Sequence, residues 1–227
     1  MSKKIKMVVF DMAGTTVNED NIVYKTVREA VNAAGFDFTL NQVLAEGAGK
    51  EKLQAIKSIL ETYADNTDEK LADEIYINFS KMLTSAYQNA NLIPQPNAAE
   101  LFSTLKERGI LTILNTGYQR TVAESIIEKL HWHEGTEYDQ LVTATDVKGS
   151  RPEPDMIRFA AEEFSVDPSQ IIKIGDSIID IQEGKNAGCA LSIGITTGAH
   201  TSEQLQSAHP DYIIDNLLEL LPIIDRY

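Results

Sequence analysis

The chain has 227 residues, 43% of them hydrophobic, which is enough to bury a substantial core and suits one core domain carrying an insert. Twenty Lys and Arg against 34 Asp and Glu give a formal net charge of −14. That balance excludes a sequence-independent grip on nucleic acid or an anionic membrane, so an anionic substrate must be met by local cations. The single cysteine, Cys189, excludes an intramolecular disulfide and a zinc site built on several thiolates, and reads as a small apolar filler.

At the N-terminus Lys3, Lys4 and Lys6 precede a short apolar run that Asp11 stops. The run is too short for the apolar region of a signal peptide, and no stretch approaches the roughly 20 apolar residues of a membrane span. The expectation is a soluble, cytoplasmic protein. Residues 6–10 predict a strand. Residues 24–34, 50–63 and 68–88 predict amphipathic helices with no strand between them, a helical insertion. Pro94 and Pro96 mark the return of the chain, followed by a helix over 98–108 that ends at Gly109. From there β-rich runs at 110–114, 140–143, 171–175, 190–195 and 212–214 alternate with helical patterns, which predicts a parallel sheet wrapped by helices. Asp167-Pro168 supplies an N-cap and first-turn pair before the 171–175 strand. The fold class expected is α/β, with a Rossmann-like doubly wound parallel sheet core from residues 1–18 and 96–227 and an inserted helical cap from residues 19–95.

In open sheets of this kind ligands collect beyond the carboxyl ends of the strands. Asp11 stands there after the first strand, Asn115-Thr116-Gly117 after the second, residues 146–151 after the third, and Asp176 with Asp180 after the fourth. Several carboxylates with a backbone carbonyl suit Mg²⁺, a hard ion that takes oxygen ligands. A hydroxyl, a glycine N–H and a cationic side chain suit the oxygens of a phosphoryl group.

On these four ordered motifs the sequence resembles the haloacid dehalogenase superfamily of aspartyl-phosphate hydrolases. The resemblance implies that Asp11 is the nucleophile and a metal ligand, with the Ala13 carbonyl and Asp176 as further Mg²⁺ ligands. It implies that Thr15, Thr116 and Gly117 hold phosphoryl oxygens, that Arg151 stabilises the transferring group, and that Asp180 supports the metal's water shell. Most phosphatases of the superfamily carry a second Asp two residues after the nucleophile, as a general acid and base. This chain has Ala13, and losing such a group typically costs about 10²–10⁴ in rate.

The phosphonatases, or phosphonoacetaldehyde hydrolases, share that departure. The segment Asp11-Met12-Ala13-Gly14-Thr15-Thr16-Val17 is similar to theirs, as are Thr116-Gly117-Tyr118 with Arg120, Arg151-Pro152, and the stretch from Lys173 through Asp180. In that family a cap lysine forms a Schiff base with the substrate aldehyde, an electron sink that lets phosphorus leave carbon. The resemblance places this role on Lys50, in Gly47-Ala48-Gly49-Lys50, in preference to Lys52, since two residues along a helix turn through about 200°. Leu53 stands where the family has a histidine, and Asn21 where it has a cysteine. Tyr118 is expected to line the pocket. The implied partner is a small phosphonate or phosphate metabolite, and a helical cap also offers a surface for a homodimer. Phosphate-ester hydrolysis without imine chemistry is the alternative, followed by a non-catalytic phosphate-binding or partner-binding protein. Gly47-Ala48-Gly49-Lys50 lacks the spacing of a P-loop and has Glu51 where Ser or Thr is required, so ATP binding is not expected. His131-Trp132-His133 reads as a surface turn, because histidines two apart diverge on a helix.

Overall fold

A computed structural model describes residues 4–227. The chain enters through strand β1 (Met7–Asp11) and a short β2 (Val17–Asn18), then runs through four helices, α1 (Ile22–Ala33), α2 (Leu40–Gly47), α3 (Lys52–Ala64) and α4 (Glu69–Asn89). It returns through β3 (Ile93–Pro94), which pairs antiparallel with β2, so a two-stranded ribbon carries both connections to the helical cap. The remainder is α5 (Ala98–Glu107), β4 (Leu111–Thr116), α6 (Arg120–Leu130), β5 (Gln140–Thr143), α7 (Asp155–Glu163), β6 (Ile171–Gly175), α8 (Ile178–Ala187), β7 (Leu191–Ile195), α9 (Ser202–Ser207), β8 (Tyr212–Ile214) and α10 (Leu220–Ile224).

Six of the strands form one parallel sheet in the order β5-β4-β1-β6-β7-β8. All residues of β1, β6 and β7 are buried, as helices covering both faces of a parallel sheet require. The period of two sorts β1 between the faces. Val8 and Phe10 join the core under α5 and α6, and Met7 and Val9 join the one under α7. The order of strands turns back at β1, flanked by β4 and β6, and the register sets Asp11 beside Asn115. The carboxyl tips of β1, β4 and β6 therefore converge at the switch point where such sheets bind ligands.

In the cap, Val23, Val27 and Val31 of α1 pack in one core with Ile56 and Ile59 of α3 and Phe79 of α4. Two details differ from the expectation. Helix α2 is additional to the three cap helices that the sequence pattern predicts, although Thr39 and Gln42 form a capping box at its start, a signature legible as Thr-x-x-Gln. The helix expected over 50–63 begins at Lys52, because the Glu51 side chain accepts from the Gln54 N–H at 3.1 Å as an N-cap and leaves Lys50 in the preceding turn. His131 closes α6 in the left-handed conformation and His133 is exposed, while Trp132 between them is buried edge-on against Phe102. Among the described residues no helix is long and apolar enough to cross a membrane.

Phe102 lies edge-on to both Phe10 and Trp132, with ring centroids 5.5 and 5.4 Å away. Phe102→Ala should lower the unfolding free energy by about 3–5 kcal/mol, read by denaturant titration.

Candidate active site

The tip of β1 turns sharply: the N–H groups of Thr15, Thr16 and Val17 all donate to the Met12 carbonyl. Gly14 makes the turn possible. Its φ is +86°, and a Cβ there would stand 2.3 Å from Asp176 Oδ2, so no other residue lets the first loop approach the carboxylate after β6 so closely. Thr16 donates its hydroxyl to the Asp11 carbonyl at 3.0 Å, holding the loop to the strand. The Thr15 hydroxyl is buried and meets no protein partner, an orphaned donor of the kind an incoming oxyanion satisfies.

Beneath Asp11 lies a fully buried charge network. Arg151 donates to Asp11 Oδ1 at 2.7 Å and to the Asn115 carbonyl at 2.8 Å, and also bonds the Asn115 side chain. Its guanidinium stands 2.9 Å from Asp180 and 3.1 Å from Glu183, both of them ion-pair contacts without hydrogen-bonding angles. Lys173, with no exposed surface, faces Asn115, Asp180 and Glu183, each at 3.0 Å. Glu183 in turn accepts from the Asn115 amide at 3.2 Å. The guanidinium thus holds Asp11 in place and brings positive charge to the reaction cavity, and does not reach out as a free cation.

Two buried cations, Arg151 and Lys173, face four buried carboxylates, Asp11, Asp176, Asp180 and Glu183, leaving two negative charges when all are ionised. The consequence appears in the titration of the carboxyls. Burial raises Asp11 despite the opposing pull of Arg151, and burial with the neighbouring Asp11 raises Asp176 well above the usual range. Burial acts on Asp180 too, but Arg151 and Lys173 outweigh it and hold its carboxyl low. Asp11, Asp176 and Asp180 can bring one oxygen each within 4.8 Å of one another. A divalent cation fits this donor set: all the ligating atoms are hard oxygens, and two charges are what the cluster lacks. Asp180 has both oxygens engaged, one by Arg151 and Lys173 and the other by the Ser177 hydroxyl at 2.5 Å, which suits it to bracing the site.

The cap closes over this floor. Gly49 has a φ of +77°, and a Cβ there would stand 2.2 Å from Ser177 Oγ, so the turn before α3 presses directly on the loop after β6. A reaction cavity of about 10 Å³ remains, lined among others by Asp11, Ala13, Thr116, Arg151, Asp176 and, from the cap, Tyr24 and Lys52. Gly117 and Tyr118 complete its wall. This much space holds about one water molecule, so a substrate enters only when the cap moves away.

Lys50, the expected amine, is not at this cavity. Its Nζ donates to Ser58 Oγ at 3.1 Å and lies 3.9 Å from Glu46, on the cap's own surface. The reason is the late start of α3: Lys50 belongs to the turn, and the first helical residue, Lys52, is the one directed inward. Lys52 is 7% exposed, donates to the Lys50 carbonyl at 2.8 Å and sits 5.2 and 5.6 Å from the ring centres of Tyr24 and Tyr118. Burial lowers its affinity for a proton, Asp11 raises it and Arg151 lowers it again, with a net shift downward.

Glu19 carried no motif in the sequence. It is 4% exposed and accepts from the hydroxyls of Tyr87 and, at 3.3 Å, Tyr118. Burial pushes its carboxyl up to about 7 against those hydrogen bonds. Only the packing of α4 against the loop after β4 could have revealed it. A raised carboxyl means that the folded state binds the proton more tightly than the unfolded chain, so its stabilising effect is complete below the ordinary value of 4.5 and is lost as pH rises through 7. With Mg²⁺ in excess, the unfolding free energy should fall by up to about 3 kcal/mol between pH 5 and 8, and Glu19→Gln should flatten that slope in denaturant titrations at stepped pH.

A family model for haloacid dehalogenase-like hydrolases matches residues 5–188. A phosphonoacetaldehyde hydrolase from Parabacteroides distasonis is 32% identical, over 92% of this chain and 83% of its own. A phosphoglycolate phosphatase from Vibrio vulnificus is 24% identical over 98% of this chain and 97% of its own. In fold, the chain is similar to the solved structure of a phosphonoacetaldehyde hydrolase-like protein from Oleispira antarctica, with a TM-score of 0.85 and 23% identity over 99% of this chain and 93% of that one. Family match and geometry agree that this chain belongs to the haloacid dehalogenase-like hydrolases.

Proposed function

We propose that this hydrolase cleaves the P–C bond of a small carbonyl-bearing phosphonate, phosphonoacetaldehyde or a close relative, with Asp11 as nucleophile and Lys52 as the imine-forming amine. The observation that carries this reading is the pairing of Ala13 with a buried lysine across one cavity. A carboxyl acid is missing where an ester's leaving oxygen would need a proton, and an amine with weakened proton affinity stands where a carbonyl could be activated. The relative from Parabacteroides distasonis, named for phosphonoacetaldehyde, supports the same substrate class.

Neutral Lys52 adds to the carbonyl carbon and, with uptake of one proton that the later hydrolysis of the imine returns, water leaves to give a protonated imine. The Asp11 carboxylate attacks phosphorus, and the electron pair of the P–C bond passes into the imine to give an enamine. The enamine carbon takes a proton, water hydrolyses the resulting imine to release the carbonyl product and Lys52, and a second water releases phosphate from Asp11. The net reaction consumes one water and yields phosphate and the dephosphonylated carbonyl compound. Arg151 keeps the attacking oxygen oriented, and Thr15, Thr116 and the Gly117 backbone are the groups available to phosphoryl oxygens. Mg²⁺ held by Asp11, Asp176 and the Ala13 carbonyl would neutralise charge on the phosphoryl group. The Tyr24 and Tyr118 rings accommodate the cationic imine that Lys52 becomes.

Borohydride added during turnover of phosphonoacetaldehyde should leave a reduced two-carbon adduct on Lys52 and none on Lys50, read by peptide mass spectrometry. Lys52→Arg should lose about 10³-fold or more in kcat/KM and Lys50→Gln less than about 3-fold. Adduct-free Lys52 in an active preparation would refute the imine. Asp11→Asn should abolish turnover, and chelation of divalent ions should do so reversibly, both followed by phosphate release. Steady hydrolysis of phosphoglycolate or aryl phosphates by Lys52→Arg would instead select a phosphate-ester hydrolase.

A further inference from the structure

A second cavity, of about 220 Å³, adjoins the reaction cavity in the cleft between cap and core. The two share three walls: Lys52, Gly117 and Tyr118. Beyond these the larger one runs along α4 and the start of α6, where Tyr76, Phe79, Leu83 and Val122 supply apolar surface and several Ser and Thr hydroxyls lie between them. Its charged groups are Lys52 itself and Glu51, so an anionic occupant would meet a carboxylate and gain no cation besides the amine already committed to the carbonyl.

Lys52 borders both spaces, which orders any substrate bound through its carbonyl. The carbon bearing phosphorus must lie toward Asp11, in the inner cavity. The other substituent of the carbonyl carbon then points into the outer one. Phosphonoacetaldehyde has only hydrogen at that position and would leave the outer cavity empty. We propose that the outer cavity is a subsite for an uncharged hydrocarbon or aryl substituent, making this chain a hydrolase of 2-oxoalkylphosphonates, ketones as well as the aldehyde. The inference rests on the P–C cleavage reading and adds no chemical step: R–CO–CH₂–PO₃²⁻ and water give R–CO–CH₃ and HPO₄²⁻.

The test is a series of phosphonoacetaldehyde, 2-oxopropyl-, 2-oxobutyl- and 2-oxopentylphosphonate, with an analogue of the last ending in a carboxylate, assayed on the full chain with Mg²⁺. Each buried methylene is worth about 0.8 kcal/mol, so kcat/KM should rise roughly 4-fold per carbon along the ketones. The carboxylate analogue should fall at least about 10-fold below its uncharged counterpart. Ser80→Phe, which fills the outer cavity from α4, should lower the ratio of 2-oxopentyl to aldehyde kcat/KM about 10-fold. A flat or falling ketone series with the aldehyde still turned over overturns the subsite and leaves the P–C reading standing. An unchanged ratio in a folded Ser80→Phe protein overturns it as well. No turnover of any carbonyl phosphonate, the aldehyde included, overturns both.

Discussion

The Arg151–Asp11 ion pair, buried and 2.7 Å long, is the contact on which the site is built. Arg151 ties the tip of β1 to the Asn115 carbonyl at the tip of β4 and to Asp180 and Glu183 of α8, so one guanidinium fixes the relative placement of three elements. Such an arrangement is not an efficient way to stabilise a fold, because desolvating ions costs free energy that their mutual attraction only partly offsets. Its value lies in orientation. The hydrogen bond from Arg151 holds one oxygen of the Asp11 carboxylate in a fixed orientation within the folded protein, a preorganised arrangement.

With all its groups ionised the same network carries two uncompensated negative charges, and its hard oxygen donors fit a divalent ion. Gly14 and the Thr15 hydroxyl belong to the same economy of space. One lets the first loop come within contact of Asp176, and the other waits unpartnered in the buried turn. On the proposed reading phosphorus passes to Asp11 on this floor whatever the leaving group. What distinguishes this chain is the cap, which brings an aromatic-walled lysine and no carboxylic acid to the cavity opposite.

Much of the core was legible without coordinates. The apolar runs that end in Asp11, Thr116 and Asp176 predict parallel strands and place polar residues at their carboxyl tips; Lys173, buried in the middle of β6, departs from that pattern and faces Asn115, Asp180 and Glu183. The cap was less legible. Helix α2 has only eight residues, and its capping box is the single local signal for it. The sequence pattern starts the third cap helix at Lys50, whereas Glu51 caps α3 and Lys52 is its first residue, so Lys52 and not Lys50 lines the cavity. Three residues beyond Lys52 stands Ala55, which like Leu53 is not a histidine.

Sequence by itself determined which residues could do chemistry on phosphorus and in what order along the chain they stand, since motif spacing follows strand and loop lengths that local patterning encodes. It also showed that Ala13 removes the usual acid. Tertiary structure alone decided which lysine shares a cavity with Asp11, since a two-residue shift in a helix start sends one amine to Ser58 and the other between two tyrosine rings. It alone revealed Glu19, whose partners lie 68 and 99 residues away in the chain. Contacts of that span depend on how cap and core close on each other, and no local pattern carries that information.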